Sequence, residues 1–291
     1  MGVVRQKQII MLFFVVWAVS WLLVHLFFAD VIFLRDFWSD TYGIVALIGG
    51  VFGLINVRAC GGVKSLFGRP ILFFSVGLLL ETFGQIMYSA YLHIFGPEIP
   101  YPSIGDVGYF FGPVFYAAGI IYLWKIVRKL SHATKFELNA LLVFFAVLSL
   151  ASISWLYGNG YGALQSSRFE LLLEIGYLLV GALYLALVFM LNFSSPELMA
   201  GIFGSSIRII SWALVVQYLS DYLFSIQFYQ NTWQWAGIGD ALYLVAYFLM
   251  ILGVIRLRSV FEDTRAVVGI DGETKPFFNH SGFLKQRSVE V

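Results

Sequence analysis

Charge is scarce in this sequence. Asp, Glu, Lys and Arg make up 12% of its 291 residues, against about 25% in ordinary soluble domains. A water-soluble enzyme and an intrinsically disordered chain are excluded on that ground. Lys and Arg number 18 and Asp and Glu 17, for a net charge of +1, so no overall basic field exists to attract nucleic acid. The single cysteine, Cys60, forms no internal disulfide and says nothing about compartment. Catalytic signatures are missing too: no H-E-x-x-H, no G-x-S-x-G and no phosphate-binding glycine loop. His25, His93, His132 and His280 show no metal-ligand spacing on one helix. No lysine falls inside an apolar core, which disfavours a retinal protein. No catalytic residue, metal or cofactor is assigned from these residues.

What the sequence has in excess is apolar and aromatic surface: 60% hydrophobic and 18% aromatic, with a mean hydropathy of +0.84. A helix needs about 20 apolar residues to cross a bilayer. Eight runs meet that requirement, at roughly 8–30, 39–58, 70–95, 105–128, 135–157, 169–193, 205–229 and 236–257. Only helices suit them, because lipid offers no partner to an unpaired backbone group and no alternating barrel pattern occurs. The second run is the weakest, interrupted by Gly49, Gly50 and Gly53. The first is too long for a signal-peptide core and reads as a signal-anchor.

The few charges are sorted by side. Arg5 and Lys7, then Arg58, Lys64 and Arg69, then Lys125, Arg128, Lys129 and Lys135, then Arg208, Arg256 and Arg258 all fall on one side of eight spans. The opposite loops hold Asp30, Asp36, Asp40 and Glu98, with Arg35 and Arg168 as their only strong cations. By the positive-inside rule both termini are cytoplasmic.

The chain also resembles itself. Gly68–Ser89 aligns without a gap on Gly204–Ser225, 136 positions later, with Gly68/Gly204, Ile71/Ile207, Ser75/Ser211, Leu78/Leu214 and Ser89/Ser225 identical. After a two-residue shortening, Ile104-Gly-Asp106 meets Ile238-Gly-Asp240, Tyr109 meets Tyr243 and Gly119 meets Gly253. Apolar composition does not by itself produce Gly-Asp followed three residues later by Tyr. The expectation is an all-α polytopic membrane protein of eight transmembrane helices. They form two parallel four-helix repeats, 1–130 and 131–260, related about an axis along the membrane normal, with 261–291 as a short cytoplasmic tail.

Candidate ligand-binding residues come from the acids and amides that the repeat places inside the apolar runs. Glu81 and Gln85 are four residues apart on one helix face, and Gln217 and Asp221 occupy the aligned positions. Asp106 with Tyr109, and Asp240 with Tyr243, open two aligned helices, while Glu174 lies about a turn inside another. Ionisable groups in a membrane are costly and face a cavity or a partner. Together they make an acid-rich polar site in the outer half, for a proton, a cation or a small polar ligand. The plainer readings stay open: helix capping and interfacial tyrosines for the Asp-x-x-Tyr pairs, interhelical hydrogen bonds for the deeper groups. Pro113, whose aligned partner is Tyr247, is expected to kink its helix.

Pro100-Tyr-Pro-Ser-Ile-Gly-Asp106 followed by Tyr109 resembles the multi-helix membrane sensor regions in front of some prokaryotic diguanylate cyclases and histidine kinases. Their pattern is Pro-Ser-x-x-Asp-x-x-Tyr opening a helix, often with a second Asp-x-x-Tyr later, here Asp240 to Tyr243. The specific part is about ten residues per copy. The resemblance implies signal sensing at the membrane. This sequence carries no cyclase or kinase segment, so the resemblance implies either a separate cytoplasmic or membrane signalling partner or a sequence that is part of a longer protein. A secondary transporter of a cation or small solute, a lipid-acting enzyme and a structural subunit of a membrane complex are the rival classes. The sidedness has a direct check. A green fluorescent protein fused after Val291 is expected to fluoresce, and a periplasmic phosphatase fused in the loop at Glu98 to be active. The reverse pair of results inverts the topology.

Overall fold

The computed structural model describes residues 1–96, 100–130, 135–159, 167–193 and 202–268. Among these residues there is no strand. The helices are α1 (Val3–Phe27), α2 (Ile32–Thr41), α3 (Ile44–Ala59), α4 (Gly68–Phe95), α5 (Gly105–Leu130), α6 (Lys135–Gly158), α7 (Arg168–Phe193), α8 (Ile202–Tyr229) and α9 (Ile238–Val268). Seven segments of the described residues are long and apolar enough to cross a membrane, with α2 and α3 together forming one of them. In α6 the described apolar stretch is the shorter Asn139–Trp155. The chain is a multi-pass, all-helical membrane protein. Glu98, His132 and His280 lie outside the described residues.

The run expected at 39–58 is two helices. The chain leaves α2 at Tyr42 and Gly43 and re-enters helix at Ile44. The break is covered, since the Val45 N–H bonds the Tyr42 carbonyl at 3.1 Å and the Leu47 N–H bonds that of Gly43 at 3.0 Å. Gly43 faces the Gln85 side chain, which a Cβ there would meet at 3.0 Å. The three glycines that weaken the run do not end the helix. A Cβ at Gly49 would stand 2.1 Å from Ile251 on α9, and one at Gly53 1.9 Å from the Ser75 hydroxyl on α4. Small residues let α3 lie against both neighbours at once, which is how backbones approach in lipid.

The most extensive pairings are α4 along α5 and α8 along α9. They use matching positions. A Cβ at Gly119 would stand 2.7 Å from the Phe74 ring, and one at Gly253 2.4 Å from the Ile210 side chain. At the other end, Gly105 approaches the Gly84 carbonyl, and the Ser220 hydroxyl donates to the Gly239 carbonyl at 2.7 Å. Around these hairpins α5 packs on α7 and α9 on α3, while α1 and α4 also touch α9. α1 is mostly uncovered, with Leu12, Val16 and Leu23 exposed, as suits a helix bordering lipid.

Two sequence expectations are sharpened. α5 stays helical through Pro113. α9 runs on to Val268, past the expected boundary at 260. Its polar last turns are held partly by the Arg258–Glu262 pair at 2.7 Å, an i,i+4 arrangement.

Between α4 and α5 one approach is backbone on backbone. A Cβ at Gly108 would lie 2.4 Å from the Leu80 carbonyl oxygen and 2.5 Å from the Gly84 nitrogen, and no rotamer change relieves that. Gly108→Ala is therefore expected to force α4 from α5 and cost about 1–3 kcal/mol, the usual range for overpacking. Gly2→Ala, which meets nothing within 4 Å, is expected to leave the thermal unfolding midpoint of the detergent-purified protein unchanged.

Candidate functional site

Two acids sit deep in the bundle. Glu81 on α4 is 2% exposed. Its Oε2 accepts from the Tyr247 phenol of α9 at 3.4 Å, and its Oε1 has no partner among the described residues. Gly112 on α5 leaves room beside that oxygen, since a Cβ there would stand 2.6 Å away. Asp221 on α8 is better served. It accepts from Tyr243 at 2.8 Å, Tyr184 at 3.2 Å and Gln217 at 3.2 Å. Tyr247 stacks between Tyr243 and Tyr42, with ring centroids 6.2 Å from each. Phenols thus run from the Asp221 carboxylate to that of Glu81. Tyr116, fully buried on α5, has an unpartnered hydroxyl among the described residues.

A second group lies nearer the helix ends, at the start of α9. Asp240, in the first turn of α9, is 7% exposed and accepts from the Ser39 hydroxyl at 2.7 Å. Ser39 in turn accepts the Ala236 N–H at 2.6 Å, and its carbonyl accepts from Gln85 at 2.5 Å. Asp240 also takes a backbone N–H from Gly237. That bond repeats the one in the first hairpin, where the Ser103 N–H and hydroxyl donate to Asp106 at 2.6 and 3.0 Å. Helix capping therefore accounts for both aspartates in part. Glycine in place of the serine loses the hydroxyl donor and keeps the backbone one.

The third group is the rim. Asp106 accepts from Tyr177 on α7 at 2.9 Å. Glu174 accepts from Tyr101 at 3.3 Å and from Tyr229. Burial, and then Glu174 beside it, hold the Tyr101 phenol above its usual range, so at neutral pH it stays a donor. Tyr109 lays its ring on Gly84, which a Cβ would bring within 2.9 Å.

The nine sequence candidates do not form one shell. Glu81, Gln217, Asp221 and Tyr243 gather in the bundle centre, Gln85 and Asp240 meet through Ser39, Asp106 and Glu174 occupy the rim, and Tyr109 packs on Gly84 of α4. Composition and repeat matching missed Ser39, Tyr42, Tyr116, Tyr177 and Tyr184. One signal was present for two of them. Glu170, Glu174, Tyr177 and Tyr184 recur at helical spacing on α7. Ser39 and Tyr42 have no such signal, because one lies in the last turn of α2 and the other in the break that follows it.

Among the described residues no cation pairs with Glu81, Asp106, Glu174, Asp221 or Asp240, and no cluster of three His, Cys, Asp or Glu is placed to hold a metal ion. His93 does pair, with Asp40 at 2.7 Å, beside a cavity of about 170 Å³ whose walls include Asp36 and Trp235. Burial pushes the Cys60 thiol up to about 11, which leaves it unreactive near neutral pH. No protein-family model matches the chain, and no curated protein or solved structure matches it either.

The Asp221 bonds are separable by mutation. Tyr243→Phe and Asp221→Asn are each expected to lower thermal stability. Their double-mutant cycle is expected to show coupling of about 0.6–1.7 kcal/mol, the range for hydrogen bonds between membrane helices. A coupling of zero would mean the pair makes no stabilising bond.

Proposed function

We propose that this chain is an integral membrane sensor or ligand-binding protein, with an acidic, tyrosine-walled site in the extracytoplasmic half, which signals through a partner. The observation that carries the reading is the pair Glu81 and Asp221. They occupy nearby faces of α4 and α8, lack any cationic neighbour among the described residues, and are joined through Tyr247 and Tyr243 of α9. A buried carboxyl without a counter-charge is costly. The occupant that relieves the cost carries positive charge, and the aromatic walls favour a proton or a small organic ammonium. The lack of a three-ligand cluster among the described residues weighs against a tightly held metal ion.

The proposed architecture is two parallel four-helix repeats, 1–130 and 131–260, completed by α6 as an eighth span, with both termini cytoplasmic. Matching contacts at Gly119 and Gly253, and the exchange of α5-on-α7 for α9-on-α3, support the repeat. In keeping with both termini on one side, Arg258 of α9 donates to the Met1 carbonyl at 3.0 Å. The resemblance of the Pro102 to Tyr109 segment to prokaryotic sensor regions supports the functional class.

The mechanism follows from where α9 goes. Tyr247 bonds Glu81, and two to three turns later Arg256 bonds Ser205 and Arg258 bonds Asn56. An occupant at Glu81 that replaces the Tyr247 hydroxyl alters how α9 seats on α4, and the basic end of α9 reports the change to the partner. Thermal unfolding of the purified protein against pH, ammonium and choline tests this. Saturation at about 100 times Kd stabilises by about 2.7 kcal/mol. A wild-type shift that disappears in Glu81→Gln/Asp221→Asn is the expected result. Equal shifts in both proteins, or none in either, reject the site. Flux of the stabilising cation across reconstituted vesicles, abolished by Glu81→Gln, would move the reading to a transporter.

A further inference from the structure

A second polar feature lies at the opposite ends of α4 and α5, far along both helices from Glu81. Arg69 stands one residue into α4, and Lys125 and Arg128 occupy the end of α5. With Leu66, Tyr122 and Trp124 they line a cleft of about 460 Å³. Three cations in one cleft repel each other and call for an anion. Among the described residues none of the three pairs with an acid. They rest on aromatic faces instead. Lys125 Nζ lies 4.6 Å from the Tyr122 ring centroid, Arg69 Cζ 5.6 Å from the same ring, and Arg128 Cζ 5.1 Å from the Trp124 ring. The Tyr122 ring is itself stacked on Phe73 at 5.1 Å.

That arrangement holds the charges at the rim of the cleft without neutralising them, because a ring face attracts a cation without occupying its N–H donors. Arg69 gives its Nε–H to the Val63 carbonyl at 3.3 Å, which leaves the two terminal nitrogens of its guanidinium for a ligand. The Trp124 indole nitrogen is also without a partner among the described residues. The height is telling as well. Candidate spans begin at Gly68 and end at Arg128, so the three cations stand where apolar helix gives way to the headgroup layer. Guanidinium forks match phosphate oxygens in pairs, and basic pockets between helices at this level suit phosphorylated headgroups.

We propose that this cleft is a phosphate site, filled by the headgroup of an anionic phospholipid. Arg69 and Arg128 grip the phosphate oxygens, Lys125 adds a point charge, and Leu66 with the flanking aromatic rings borders the first carbons of the lipid. The ligand ties the start of α4 to the end of α5.

Native mass spectrometry of the full chain in detergent tests the proposal, with phosphatidylglycerol and diacylglycerol as probes, since the latter lacks the phosphate. Wild type is expected to retain phosphatidylglycerol with about tenfold preference. Arg69→Gln/Lys125→Gln/Arg128→Gln is expected to lose the preference, as is the milder Lys125→Glu. Arg58→Gln/Lys64→Gln, which removes two exposed cations from the preceding helix end and loop, is expected to keep it. A soluble source is separated by inorganic phosphate. If it raises the unfolding midpoint of wild type and not of the triple variant, without a lipid preference, the phosphate site stands and its occupant is a free anion. Equal lipid retention by wild type and triple variant without that phosphate effect, or equal loss in the Arg58/Lys64 control, overturns the proposal.

Discussion

A carboxyl group inside a lipid-embedded bundle has no water to turn to, and it must be met by a donor from another helix. The half of the molecule that holds these acids is organised by that requirement. Asp221 is met from α7 and α9, Glu81 from α9, Asp240 from α2 and Asp106 from α7. Phenols are the donors used most often. A tyrosine spans the gap between helices, fills it with an apolar ring and ends in one O–H. Arginine or lysine would answer the charge more strongly, at the expense of desolvating a second ion.

Such donors reach their acceptors only if the helices come close, and small residues make that possible. Gly108 brings α5 onto the backbone of α4, while Gly49 and Gly53 seat α3 between α4 and α9. The same closeness explains the partial service to Glu81. Gly112 leaves room for Oε1 but offers it no hydrogen. With one oxygen bonded across the bundle and one unmet among the described residues, Glu81 is a poor static contact.

The membrane class and the positions of most helices were legible in the sequence, because lipid selects long apolar runs and leaves a strong signal. The 39–58 run begins earlier than its apolar pattern shows. Arg35 and Asp36 make the residues just before 39 read as a polar loop, yet helix starts at Ile32, and in α2 Arg35 reaches the Trp235 carbonyl at 3.0 Å and Asp40 reaches His93. The acids of the site were legible as anomalies in apolar surroundings. Their partners were not, since tyrosine is common throughout the chain and only packing shows which hydroxyls turn inward. Asp240 illustrates the limit: its helix-start role was readable from spacing, its bond to Ser39, 201 residues earlier, was not.

Ser39 does not act alone on the segment before α9. Trp21 of α1 donates to the Ala236 carbonyl at 2.8 Å, and Arg35 of α2 to that of Trp235. Three side chains from the first 40 residues therefore hold residues 235 and 236. A ribosome makes those three long before it makes what they grip. Synthesis order makes the amino-terminal helices the docking surface and the last hairpin the part that must find it. Damage to α1 or α2 would accordingly be felt as an insertion defect at the far end of the chain.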